Sequence, residues 1–175
     1  MGNVTHSGND FRKKSPLSPA LLCPYALCLA MCAASYVLFN ENMELFLFPH
    51  KTVMEYLFNF SFVFTENVGY EQTNGLFIIT RNCMGVKLFI NLFIIMAFGF
   101  LHKYAGMKNK IAAIVKFYSI SLITAFAATM FRISASVPFC EWNRFHLIHN
   151  VISLSVYFMT GLVLYFLMER KETAS

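Results

Sequence analysis

One cysteine stands where a polar stretch of the sequence meets an apolar one. Cys83 precedes a long apolar run in which Lys87 and Asn91 are the polar exceptions. Because helical residues four apart share a face, this spacing predicts a thiol, an ammonium group and an amide on one side of a helix. Lipid does not solvate such groups, so in a membrane that side must face protein or water. A thiol at the membrane surface with a cation one turn away is the most informative feature of the sequence.

Two further polar residues stand at the ends of later apolar runs, namely Arg132 and His149. A nearby cation favours the thiolate, which is the form of cysteine that attacks a carbonyl carbon. Arginine stays charged and its donors stabilise an oxyanion, while a histidine near its ordinary pKa takes up and returns a proton. These three types together indicate thiol acyl transfer, with Cys83, Arg132 and His149 as candidate catalytic residues. A structural cysteine is the alternative, and His146 is a second candidate imidazole.

The composition indicates a membrane protein. The 175 residues are 57% hydrophobic, include 20 phenylalanines and are only 13% charged, whereas a soluble domain is about 25% charged. We therefore expect an all-α integral membrane protein with about four transmembrane helices. The net charge of +5 does not indicate a nucleic-acid partner, because the basic residues flank apolar runs and form no stripe interleaved with aromatic residues.

The apolar runs predict helices over residues 19–39, 84–101, 111–131 and 146–168. Residues 19–168 are then a single membrane-embedded domain between two cytoplasmic tails, 1–18 and 169–175. The first run is longer than the apolar region of a secretory signal peptide, so we interpret it as a retained anchor.

The segment over residues 40–82 is mixed in character. Its apolar part, residues 53–64, is too short to cross a bilayer and predicts an interfacial or re-entrant helix, with a crossing by residues 43–64 as the alternative. The dipeptide Asn74-Gly75 lies between β-prone residues, which favours a β-hairpin over an irregular loop. Such a hairpin would lead the chain directly into Cys83.

The placement of lysine and arginine predicts the orientation of the spans. With four spans, most of the 14 basic residues lie on the side of the two termini and most of the nine acids lie on the other. Both termini are therefore expected to be cytoplasmic. In that arrangement Cys83, Arg132 and His149 all lie at the outer face of the membrane.

Two predicted helices carry faces that suit packing against other helices. The third helix has a face of small residues that leads to Arg132, and the fourth has a stripe of polar and small residues that begins at His149. The first face consists of Ser121, Ala125 and Ala128, and the second continues through Ser153, Tyr157, Thr160 and Gly161.

Three short motifs resemble those of the exosortase/archaeosortase family. Cys83-Met84-Gly85, followed by Phe89, resembles its Cys-x-Gly motif, and Phe131-Arg132-Ile133 and His149-Asn150 resemble its Arg and His motifs in the same order. The resemblance covers roughly residues 45–168 and is nearest to the compact exosortase K group. Asn150 stands where an acid often follows the histidine, so the orienting partner of His149 is left open.

This resemblance implies a membrane-embedded cysteine protease or transpeptidase of the cell membrane, with its active site on the extracytoplasmic face. Its substrates would be exported proteins that end in a sorting motif, a transmembrane helix and a basic tail. By position, Cys83 would be the nucleophile that forms a thioester, Arg132 would stabilise the intermediate and His149 would be the third member. No cofactor or metal is implied, and the other partner is the lipid bilayer.

Two other functions are compatible with the sequence. A membrane thiol oxidoreductase would use Cys83 and Cys140, although these form no CxxC, and it predicts that both cysteines are equally essential. A disulfide between them would silence the nucleophile. A non-catalytic membrane scaffold predicts that Cys83→Ala is harmless. A metal site is weakly supported, because only Glu141 lies near His146 and His149 as a further ligand.

Overall fold

The computed structural model describes residues 19–75, 77–140, 142 and 144–173. Within these ranges the chain forms five α-helices, three short 3-10 turns and a three-stranded sheet. The predicted tail over residues 1–18 lies outside the described residues. The helices are α1 (Pro19–Glu41), α2 (Met43–Phe58), α3 (Val86–Phe100), α4 (Met107–Ser136) and α5 (Phe145–Thr173), and the strands are β1 (Phe62–Thr65), β2 (Gly69–Gln72) and β3 (Ile78–Thr80).

Four helical segments are long and apolar enough to cross a membrane, as the sequence predicts. Among the described residues they are Leu22–Glu41, Arg81–Lys103, Met107–Phe139 and Leu147–Arg170. Helix α4 extends beyond the predicted end at residue 131, so Arg132 lies inside the helix and not at its terminus. The helix ends only where Pro138 enters the 3-10 turn Val137–Phe139, because proline cannot donate the next helical hydrogen bond.

The helix predicted over residues 53–64 has the wrong boundaries. Helix α2 covers Met43–Phe58 and ends at Asn59 with a left-handed φ of 54°, while residues 62–65 form strand β1. The spacing of its buried residues explains the helix, because steps of three and four place them on one face. These residues are Met43, Leu47, His50 and Met54. Helix α2 has 16 residues and is not among the segments long enough to span.

The predicted β-hairpin before Cys83 is confirmed. Strands β2 and β3 pair antiparallel, with Tyr70 opposite Ile79 and Gly69 opposite Thr80. The backbone N–H of Gly75 donates to the carbonyl of Gln72 at 2.8 Å and closes the turn. Strand β1, which the sequence analysis missed, pairs antiparallel with the other edge of β2.

The buried side chains form two clusters. The bundle cluster lies between α1, α3, α4 and α5, and the site cluster joins α2, the sheet, the start of α3 and the end of α4. The face of small residues on α4 is buried as predicted, and the stripe that starts at His149 on α5 is half-buried. The bundle cluster includes Phe89, Phe93, Phe117 and Ala125, and the site cluster includes Leu47, Met54, Tyr70, Ile79, Cys83 and Ile133.

Candidate active site

Cys83 lies in a 3-10 turn, Arg81–Met84, that joins β3 to α3. Gly85 separates the turn from the helix and has a left-handed φ of 72°. Because this conformation interrupts the helical register, the predicted helical face of Cys83, Lys87 and Asn91 does not form, although Cys83 and Lys87 line one pocket. Cys83 is buried, whereas Lys87 and Asn91 are exposed. Asn91 therefore has no part in the site.

Gly85 permits the turn to pack directly on α4. A Cβ atom at this position would collide with the hydroxyl group of Thr129 and lie 3.3 Å from the carbonyl oxygen of Ala125. Only glycine combines the left-handed backbone with this close approach. The contact brings the turn that carries Cys83 onto the face of α4 that carries Arg132.

The guanidinium group of Arg132 bridges α5 and the turn that carries Cys83. Its Nη1 donates to the hydroxyl of Tyr157 at 2.8 Å, and its Nη2 donates to the backbone carbonyl of Asn82 at 3.3 Å. The side chain is only 5% exposed. Within the described part of the chain its Nε has no hydrogen-bond partner, and no carboxylate forms an ion pair with it. The positive charge therefore lies beside the cysteine without a fixed counterion from that part of the chain.

The imidazole of His149 is oriented by Ser136. The Ser136 hydroxyl donates to the carbonyl of Arg132 at 2.8 Å, and His149 Nδ1 lies 3.0 Å from the same Oγ. Because the serine proton is used on the carbonyl, Nδ1–H must be the donor to Oγ. Neutral His149 then carries its lone pair on Nε2, as a general base requires. Ser136 thus takes the orienting role that the sequence left open.

The three predicted catalytic residues line one pocket of about 830 Å³. Thr80 Oγ1 lies 4.0 Å from Cys83 Sγ. Lys87 and Arg81 also line the pocket, and among the described residues its lining contains no aspartate or glutamate. Cys83, Arg132 and His149 come from three different elements, and the fold brings them together as the sequence predicts.

The other residues that the sequence singled out lie elsewhere. Cys140 is half-buried, packs at the margin of the site cluster and does not line the pocket. Each of the five cysteines is a free thiol, so the structure has no disulfide between Cys83 and Cys140. The side chain of His146 and all of Glu141 fall outside the described residues. Among the residues that are described, no group of three or more His, Cys, Asp or Glu could hold a metal ion.

His50 is a buried residue near the site that the sequence analysis missed. It is 1% exposed, its Nδ1 lies 3.2 Å from the carbonyl of Phe46, and its ring packs edge-on against Phe126 of α4 at 4.8 Å. Burial lowers the pKa of His50 to about 4, and the charge of Arg132 lowers it further while the contact with Phe46 opposes the shift. His50 is therefore neutral at pH 7. The signal in the sequence was its helical spacing with Leu47 and Met54.

Comparison of the chain with protein-family models, curated proteins and solved structures finds no match. The function must therefore be inferred from the geometry of the pocket.

Proposed function

We propose that this protein is a membrane-embedded cysteine peptidase or transpeptidase that cleaves C-terminal sorting signals of exported proteins. The observation that carries the proposal is the shared pocket of Cys83, Arg132 and His149. Each side chain is fixed by the fold through a different element, and the three types are those that thiol acyl transfer requires.

The reaction begins when His149 Nε2 accepts the proton of the Cys83 thiol. The thiolate attacks the carbonyl carbon of the scissile bond, so a C–S bond forms and the carbonyl oxygen becomes an oxyanion. Arg132 stabilises this oxyanion, since its guanidinium group is held beside Asn82 and has no carboxylate partner among the described residues. His149 returns the proton to the amine as the C–N bond breaks, which leaves a thioester at Cys83.

The second half of the reaction releases the acyl group. Water or an amine attacks the thioester carbonyl, and His149 takes the proton of the incoming nucleophile. The C–S bond then breaks and the thiol of Cys83 regains its proton. Hydrolysis and transfer differ only in the nucleophile that enters.

The proposed location is the cell membrane, with the pocket on the extracytoplasmic face and both termini in the cytoplasm. The four apolar helices support a multi-pass protein, and the asymmetric placement of basic residues supports this orientation. The pocket receives residues from the first turns of two span-length segments, at Asn82 and His149, so it lies at one end of the helices. A substrate with its own membrane helix would be cleaved there, as the resemblance to the exosortase/archaeosortase family implies.

The test is processing of a co-expressed reporter that ends in a sorting motif, a transmembrane helix and a basic tail. Wild type is compared with Cys83→Ala and with Cys140→Ala, which is a matched control because Cys140 is a free thiol outside the pocket. We expect Cys83→Ala to abolish processing and Cys140→Ala to leave it unchanged. Equal losses in both variants would indicate a thiol oxidoreductase, and unchanged processing in Cys83→Ala would refute a catalytic role.

A further inference from the structure

The sheet has two edges, and one of them is open toward the pocket. Strand β3 is at the end of the order β1-β2-β3, so one side of its backbone pairs with β2 and the other has no strand beside it in the described part of the chain. Three residues after its last residue the chain reaches Cys83. An open strand edge is a template for an added strand, because its backbone donors and acceptors are already aligned.

The register shows which groups of β3 point away from β2. The N–H of Gln72 donates to the carbonyl of Phe77 at 2.9 Å, and hydrogen-bonded pairs alternate along an antiparallel ladder. Phe77 and Ile79 therefore bond to β2, whereas the backbone groups of Ile78 and Thr80 point outward. The carbonyl of Thr80 begins the 3-10 turn. The outward groups left for a ligand are both backbone groups of Ile78 and the N–H of Thr80.

Both of these outward residues line the pocket. Ile78 and Thr80 contribute to its wall together with Phe77 and Cys83, whereas the side chain of Ile79 is fully buried on the opposite face. Helix α5 also lines this pocket, through residues that include Asn150 and Ser153. The volume of about 830 Å³ is within the range of about 300–1,000 Å³ typical of ligand pockets.

The other edge of the sheet, strand β1, has a side-chain partner for one of its outward backbone groups. On β1 the outward N–H of Phe62 donates to the carboxylate of Glu55 in α2 at 3.4 Å. A charged side chain of the same chain thus occupies a backbone group of this edge. Among the described residues no such contact is made to the outward groups of Ile78 or to the N–H of Thr80. The difference indicates that the edge of β3, and not that of β1, is the one kept for a ligand.

We propose that the substrate segment next to the scissile bond binds as an added β-strand along β3. This inference rests on the proposed function and names the conformation in which the substrate is held. The occupant is an extended peptide, because only a peptide backbone offers N–H and C=O groups at the spacing of the edge. Ile78 exchanges hydrogen bonds with one substrate residue, and Thr80 N–H donates to a carbonyl two residues along the substrate. The sorting segment is therefore bound through hydrogen bonds to its backbone, which do not depend on the identity of its side chains.

The test uses reagents that report binding without a known sorting motif. Acetyl-tetraalanyl chloromethyl ketone alkylates Cys83 Sγ with loss of chloride, and its rate on the full-length protein is followed by mass spectrometry. A series of the same reagent carries one N-methyl group on each amide in turn. Because the carbonyl of Ile78 is the one acceptor that the described edge offers, we expect N-methylation to slow alkylation about tenfold at the amide that donates to it and little at the neighbouring amides. Iodoacetamide, which has no peptide chain, measures the reactivity of the thiol itself.

A protein variant provides an independent measurement. Ile78→Pro removes one outward N–H that β2 does not use, and Ile78→Val retains it as the matched control. We expect Ile78→Pro to slow the peptide reagent about tenfold, with iodoacetamide alkylation unchanged in both variants. An N-methyl series in which no position stands out, or an Ile78→Pro variant that the peptide reagent alkylates as fast as Ile78→Val, would overturn the inference. Reporter processing that depends on Cys83 together with a flat N-methyl series would reject the added strand and leave the peptidase proposal standing, whereas processing independent of Cys83 would reject the peptidase itself.

Discussion

Helices α3 and α5 both lead from the pocket into the bundle, yet they are held in different ways. In the described chain 61% of the apolar stretch that includes α3 is buried inside the protein, compared with 11% of the stretch in α5. Both are apolar enough to cross a membrane, so composition does not distinguish a central helix from a peripheral one. The comparison shows that an apolar helix can owe its position to packing or to a few polar contacts.

The two sides of the site differ in the same way as the helices that carry them. The Cys83 side is fixed by packing, since the turn lies on α4 and α3 contributes Phe89, Phe93 and Leu88 to the bundle cluster. The His149 side lies on α5, whose buried side chains among those described are Leu164 and Met168, far along the helix from the pocket. Near the pocket α5 is held by the bonds of its own Tyr157 and His149 to α4. We therefore expect changes on the Cys83 side to affect folding and changes on the His149 side to affect positioning.

The largest effect is expected for Gly85→Ala. The alanine must adopt a left-handed backbone conformation, which costs about 1–2 kcal/mol. Its Cβ also collides with Thr129, which costs about 1–3 kcal/mol more. We expect a loss of about 2–5 kcal/mol in unfolding free energy, measured by thermal unfolding in detergent micelles. The matched control is Gly99→Ala near the other end of α3, where a Cβ meets nothing within 4 Å. A control that destabilises as much as Gly85→Ala would show that the turn is not packed on α4 as described.

The next effect is expected for Arg132→Lys. A lysine keeps the positive charge but presents no planar fork, so it cannot donate to Tyr157 and to Asn82 together. Loss of a fixed oxyanion donor lowers kcat about 10²–10³-fold, and we expect that decrease in reporter processing with little change in the unfolding temperature. Tyr157→Phe removes only the α5 partner and should reduce processing much less. Equal losses in the two variants would assign Arg132 to holding α5 and not to the oxyanion.

Much of this architecture follows from the sequence because membrane compatibility and turn chemistry are local properties. The span-length helices, the hairpin at Asn74-Gly75 and the buried small-residue face of α4 were predicted from residue type and spacing. The shared pocket of Cys83, Arg132 and His149 was predicted from the order of the spans. These conclusions required no knowledge of which side chains touch.

The parts that were missed depend on tertiary contacts. The predicted helical face through Cys83 and Lys87 does not form, because Gly85 adopts a left-handed conformation and separates the turn of Cys83 from α3. The segment over residues 53–64 reads as helix from its apolar composition, but β1 ends that helix because β2 offers it a pairing edge. Ser136 was missed as the partner of His149 because a serine four residues after an arginine carries no signal of its own.

The dependence of stability on pH tests the burial of His50 in α2, next to the Cys83 side of the site. Its pKa is about 4 in the folded protein and about 6.5 when unfolded, so between these pH values the unfolded chain binds more protons. Stability must therefore fall as the pH decreases from about 6.5 to about 4, by roughly 3 kcal/mol in total, and change little from this group above pH 6.5. Thermal unfolding of wild type and His50→Gln across this range should show a stability difference that shrinks as the pH falls. A difference that is constant with pH would mean that His50 has the same pKa in the folded and unfolded protein, and would contradict its burial near Arg132.

The smallest of these effects is expected for Ser136→Ala, which acts on the His149 side. When the Ser136 hydroxyl is removed, His149 Nδ1 loses the acceptor that fixes the tautomer and the direction of the imidazole ring. Helix α4 and the turn that carries Cys83 are unchanged. We expect processing to decrease about tenfold, which corresponds to the loss of one hydrogen bond. The pH profile of processing should shift, while the unfolding temperature stays unchanged. Ser134→Ala is the matched control, because this serine lies on the same helix and its hydroxyl contacts only the sulfur of Met54, at 3.9 Å, among its described hydrogen bonds. If Ser136→Ala instead lowers the unfolding temperature and leaves the pH profile in place, then Ser136 holds α5 as packing does on the Cys83 side, and the two sides of the site are built alike.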